Sequence, residues 1–230
     1  MHFEILVEGQ CDLTTLSILL PKIIGPYAEP HTWKIHKHRG IGKFPDHPEQ
    51  LPNPKDQTLL HNLPSRLKAY GKEQRDDFVV IVLVDLDDRP DCRAFKQEML
   101  NLLEYCPAKP VCLFRIAIEE IEAWFLGDRQ ALTTTYPSLD LTGLTNYQQD
   151  SQGGTWEKLA QAIKPSLRTR KKRDPEVLQA KQQWAKEITP NMDVERNTSP
   201  SFRCFRDGLR RHCQFNRQPR HRTRIAQKPL

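Results

Sequence analysis

The sequence predicts an α/β domain, a mainly parallel sheet flanked by helices, followed by a C-terminal helical extension. Three observations carry this. The run "VVIVLV" at 79–84 is continuously apolar and β-branched, as in a central strand covered on both faces. Similar apolar runs open the chain at 2–7 and recur in "KPVCLFRIAIEE". The stretches between them are long enough to hold helices, the alternation that builds parallel units with right-handed crossovers. With 230 residues the chain can bury a real core.

Each element follows from its local pattern. Residues 2–7 form the first strand, and Gly9 permits the sharp turn into a helix whose Leu13, Leu16, Ile18, Leu19 and Leu20 crowd one broad face. "HTWKIHKH" alternates Trp33 and Ile35 with polar residues, as a half-exposed strand does. Residues 40–56 carry Pro45, Pro48, Pro52 and Pro54 and read as loop. Helical patterns at 58–74, 91–105 and 119–131 alternate with the third and fourth strands. Beyond about residue 130 the chain turns polar, with helices in "TWEKLAQAIKPSL", "DPEVLQAKQQWAKEI" and "SPSFRCFRDGLRR". Ser199 reads as the N-cap of the last, with Pro200 in its first turn. The expected division is 1–130 for the α/β domain, 131–214 for the helical extension and 215–230 for a flexible basic tail.

Composition narrows the function classes. A hydrophobic fraction of 37% with 28% charged residues fits a soluble globular protein and argues against disorder throughout. Six cysteines without a Cys-x-x-Cys pair suggest neither a zinc ribbon nor a disulfide scaffold, so they read as reduced thiols in a cytosol. No signal segment opens the chain and no apolar run is long enough to span a bilayer, so a cytoplasmic protein without membrane insertion is expected. The net charge of +6 is uneven: from Arg203 onward there are nine Lys and Arg against one acid, while the body is near neutral. Such a tail either follows phosphates or is a solvated terminus.

The acids fall in a pattern. Glu8 directly follows the first strand, and the third runs into "DLDD", where period-two alternation puts Asp85 and Asp87 on one side and Asp88 on the other. Two strands thus end in acids at one sheet edge, where ligands of open parallel sheets bind. Such acids repel unless a cation lies between them, and a hard divalent ion with oxygen ligands suits them; magnesium is the default, with manganese in its place as the alternative. The plainer reading is that Asp87 or Asp88 caps the helix near Pro90 and Glu8 offsets a helix dipole. Asp12, four residues after Glu8, joins it if the first helical turn is regular, or else is an exposed first-turn acid. In "IEEIEAWFLGD", Glu119 and Glu122 stand three apart and share a helix face, as ligands or as ordinary first-turn acids.

"VEGQCD", "VLVDLDD" and "IEEIEAWFLGD", in this order, resemble the Toprim fold, a Rossmannoid α/β architecture, and in particular a bacterial family of Toprim-related proteins classed only as a domain of unknown function. "HRGIGK" and "SPSFRCFRDGLR" resemble that family too, so the likeness spans about 1–212. Related nucleases of the OLD and RloB types bind magnesium through a glutamate after the first strand and a later Asp-x-Asp. The resemblance puts those roles on Glu8, Asp85 and Asp87, and matches Glu122, with Ala123 and Trp124, to the Glu-x-Trp element of RloB-like proteins. Asp12 stands where OLD-type nucleases often carry a glutamate, a shorter ligand at a second metal position. The resemblance also implies an ATPase partner and a setting in bacterial defence against phage.

The expected activity is therefore metal-dependent cleavage of DNA or RNA, with Glu8, Asp85, Asp87 and Glu122 in catalytic roles and Glu8, Asp12, Asp85, Asp87, Glu119 and Glu122 as metal ligands. Arg39 and Lys43 of "RGIGK", with Arg217, Arg220, Arg222 and Arg224 of the tail, are the candidate nucleic-acid contacts. "RTRKKR" at 168–173 is a second basic block, read as a solvated run. The alternative is a non-catalytic module in which the acids hold a structural ion while the chain engages nucleic acid or an ATPase subunit. His31, His36, His38 and His47 show no zinc spacing, and no P-loop is present.

Overall fold

Four parallel strands in the order β2-β1-β3-β4 form the sheet of this computed structural model, which describes residues 1–215 apart from Gln74 and Gln152. The strands are β1 (His2–Val7), β2 (Thr32–Lys37), β3 (Phe78–Asp85) and β4 (Cys112–Ala117). Three helices connect them: α1 (Gln10–Ile24), α2 (Leu59–Tyr70) and α3 (Cys92–Asn101). The α/β architecture is Rossmann-like. Chain direction across the sheet reverses between β1 and β3, the switch point outside whose carboxyl ends ligands bind in open α/β sheets.

Residues of β3 alternate between two cores. Val79, Ile81 and Leu83 face one side with Phe3, Ile5 and the α1 residues Leu16, Leu19 and Leu20. Val80, Val82 and Val84 face the other with Leu63 and Leu67 of α2 and Phe95 and Met99 of α3. This double cover is why the run is uninterrupted by polar residues. Five more helices follow: α4 (Glu122–Leu126), α5 (Arg129–Thr135), α6 (Thr155–Ile163), α7 (Pro175–Ile188) and α8 (Pro200–Phe215). Trp156 of α6, Trp184 of α7 and Phe202 and Phe205 of α8 are all buried in the core on the α1 side. The helices after residue 130 therefore share the core of the sheet.

Several local expectations change. The helix expected over 119–131 is two helices, because Glu119 takes a left-handed conformation (φ +58°) and Asp128 starts a new helix by accepting from Ala131 N at 3.1 Å. The cap of α3 is Asp91, which accepts from Arg93 N at 2.7 Å and Ala94 N at 3.1 Å, and neither Asp87 nor Asp88 caps it. Ser199 caps α8 as its sequence suggests, its Oγ accepting from Phe202 N at 3.2 Å. Among the described residues no helix is long and apolar enough to cross a membrane.

Candidate metal centre and nucleic-acid interface

A cleft of about 990 Å³ opens outside the carboxyl ends of β1, β3 and β4. Each strand delivers acids to it, because each ends in a turn that lifts the next side chain out of the apolar layers. Glu8 follows β1, and its Oε1 accepts a 2.7 Å hydrogen bond from Asp85 N, so the two strand ends are tied across the switch point. One turn later Asp12 Oδ2 accepts from Gly9 N at 2.8 Å, a capping contact that keeps the start of α1 regular and leaves Asp12 buried beside Glu8. Asp85 ends β3. Asp87 lines the cleft although the strand has already ended; its left-handed conformation (φ +50°), not strand alternation, sets its direction. For the same reason Asp88 also lines the cleft, where alternation would have turned it away.

Beyond β4 the sequence misleads. Glu119 is absent from the cleft lining; its carboxylate accepts from Gly153 N at 3.2 Å, Gly154 N at 2.9 Å and Thr155 N at 2.9 Å, and from the Thr155 hydroxyl, holding the start of α6. Its neighbour Glu120 takes the place expected of it, 2% exposed, with Glu122 beside it at 1%. Two lysines from the helical part answer these acids. Lys181 of α7, 7% exposed, donates to Glu120, lies 3.3 Å from Glu122 Oε2 and sits 5.8 Å from the centre of the Trp156 ring. Lys172, just before α7, reaches Asp87 Oδ1 at 2.6 Å and Glu120 Oε1 at 2.9 Å.

Sequence reading missed Glu120, Lys172 and Lys181. Nothing in "IEEIE" distinguishes Glu120 from Glu119 without the left-handed residue, but Lys181 did carry a signal. Val177, Lys181, Trp184 and Ile188 follow helical spacing on the buried face of α7, and a lysine there needs a buried partner.

The electrostatics are uneven. Burial, with Asp12 next, pushes Glu8 up to about 8; burial also raises Asp12 to about 6 and Glu122 to about 7, and holds Asp85 well above the ordinary carboxylate range, with Glu8 adding to it. Glu120 goes the other way: burial would raise it, but Lys181 and Lys172 overcome that and hold it low. Glu122 Oε2 is buried and makes no hydrogen bond, its contact with Lys181 being ionic only. Seven carboxylates thus share the cleft, and the two lysines among them, Lys172 and Lys181, are already bonded to acids of the β4 side and to Asp87, so Glu8, Asp12 and Asp85 are left short of positive charge.

The donor set is oxygen-rich and suits a hard divalent ion such as magnesium or manganese. Among the described residues no three His, Cys, Asp or Glu side chains converge at metal-ligand spacing, since several of these oxygens are engaged by backbone amides and lysines. Donor chemistry and missing charge nevertheless fit such an ion. The rim is basic: Lys43 from the 40–56 loop, Arg89 and Arg173 line the cleft with Lys172. The "RTRKKR" block therefore ends at the site. Gly40 N donates to Glu8 O at 2.9 Å, pinning the "RGIGK" loop there; Arg39 is exposed outside the lining. Arg217, Arg220, Arg222 and Arg224 lie outside the described residues.

Residues 7–210 match the family described as a domain of unknown function, DUF4276. No curated protein and no solved structure matches the chain.

Proposed function

Since the chain belongs to the DUF4276 family, a domain of unknown function, we propose its activity from the cleft: a divalent-cation-dependent nuclease of Toprim type that hydrolyses phosphodiester bonds in DNA or RNA. One observation carries this reading. Acids from the ends of three parallel strands meet in one cleft, short of positive charge, beneath a basic rim. A bound magnesium or manganese ion would polarise the scissile phosphate and activate water. Glu8, Asp12 and Asp85 would hold it, with Asp87 beside them.

The chain's own residues supply the rest. Lys43, Arg89 and Arg173 on the rim attract and orient a phosphate backbone. The Asp85 N–H fixes one oxygen of Glu8, so that carboxylate meets its ligand preorganised. Glu120 holds Lys172 and Lys181 at the other wall. From the resemblance, not the cleft, come an ATPase partner and a role in anti-phage defence. One observation favours a non-catalytic module instead: both oxygens of Glu120 are already taken by lysines, as in a structural ion network.

Incubating the full chain with single- and double-stranded DNA and RNA in magnesium and in manganese tests the reading. Cleavage lost in EDTA and in Glu8→Gln supports a nuclease. Inactivity on every substrate, with ion binding intact, supports the module.

A further inference from the structure

We infer that Lys181 is a built-in cation standing where a second metal ion would otherwise sit, so that the cleft takes one divalent ion per chain. This rests on the nuclease reading above for the ion itself and adds its number and place.

The cleft has two unlike walls. On the wall built by β1, α1 and β3, Glu8, Asp12 and Asp85 have no Lys, Arg or His within salt-bridge distance among the described residues. Backbone amides donate to two of them, Asp85 N to Glu8 and Gly9 N to Asp12, and orient those carboxylates without cancelling their charge. On the opposite wall Glu120 and Glu122 face a full positive charge, because the Lys181 ammonium contacts both and Lys172 adds a second contact to Glu120.

Lys181 is not a side chain that swings in from solvent. It is 7% exposed, on the buried face of α7 between Val177 and Trp184, and packs near the Trp156 ring. Removing it would leave two buried carboxylates uncompensated, which is costly, and placing a divalent ion beside it would set like charges together in a low-dielectric site. Lys172 differs: it is 45% exposed and reaches Asp87 from the rim, so it can yield that carboxylate to an ion. One wall therefore needs a cation and the other already owns one.

Counting ions tests this. Full-length protein stripped with EDTA is titrated with Mn²⁺, bound ions are counted by electron paramagnetic resonance and calorimetry, and their position is found by anomalous scattering. We expect one ion per chain, near Glu8, Asp12 and Asp85, lost in Glu8→Gln. In Lys181→Met the count should rise to two, the added ion lying at Glu120 and Glu122. Two ions in the unaltered chain would overturn the inference and leave the nuclease reading standing, and a count that stays at one in folded Lys181→Met would overturn it as well. No bound ion at all would overturn both. Should Lys181→Met not fold, the count in the unaltered chain decides alone.

Discussion

Glu119 and Glu120 are neighbours with opposite placements, and one backbone dihedral separates them. At Glu119 the chain enters the left-handed region, which turns its carboxylate toward the amides of 153–155 and leaves Glu120 to the cleft. Glu119→Gln should therefore cost about 1–3 kcal/mol of stability, read by thermal unfolding, with ion binding unchanged. Glu8→Gln and Asp85→Asn should do the reverse, losing ion binding and cleavage while the metal-free melting temperature holds or rises. Burial raises Glu8 to about 8, Glu122 to about 7 and Asp12 to about 6, so each keeps its proton in the folded chain at pH values where the unfolded chain has released it. The folded state then binds more protons between about pH 4.5 and 8, and metal-free stability must rise as pH falls through that window. We expect EDTA-treated protein to melt several degrees higher at pH 5.5 than at pH 8, and saturating manganese to flatten the difference. Glu8, Asp12 and Asp85 were legible in the sequence because strand ends and first helical turns have fixed geometry, whereas Asp87 reaches the cleft by a left-handed turn that alternation does not describe. Glu120 was not, because nothing in a Glu-Glu pair announces a positive φ.

Among the elements, the loop after β2 gives the clearest case of a residue type chosen by space. Gly42 adopts φ +68°, and a Cβ there would stand 1.9 Å from Thr58 Oγ1 at the start of α2. Gly42→Ala should lower stability by about 2 kcal/mol or more, and because the same loop donates Gly40 N to Glu8 O, it should weaken ion binding too. Calorimetry of the variant with and without manganese checks both. The strands were readable because β3 is covered on two sides and shows it in an unbroken apolar run. The broken helix after β4 was not, since "IEEIEAWFLGD" suits a helix throughout and only packing of Glu119 onto α6 and Asp128 onto Arg196 divides it.

For the whole molecule, the polar composition after residue 130 suggested an extension, yet its few aromatic residues are driven into the sheet's own core. A fragment ending at residue 130 would leave Leu16, Leu19 and Trp124 without Trp184, Phe202 and Phe205, and we expect it to lack a cooperative unfolding transition. The basic charge divides similarly. If the rim holds phosphates, Lys43→Ala and Arg173→Ala should each reduce the slope of log affinity against log salt by about 0.9 on duplex DNA or about 0.7 on single strands. Removing 216–230 should leave cleavage and ion count intact, and any drop in that slope reports the tail alone.

Lys181 lies 173 positions after Glu8, yet the two stand in one cleft. At roughly 5–20 residues per second, a ribosome needs on the order of 10–30 s to add the second after the first. Through that interval the acids of β1 and β3 lack the wall that α7 carries. While they stay hydrated they keep ordinary acidity and repel little, and the expense of crowding them falls due only when α7 docks. If the cleft acts on a polyanion as proposed, a nascent chain would thus carry its cleft half built and would become competent only after α7 had left the tunnel and docked.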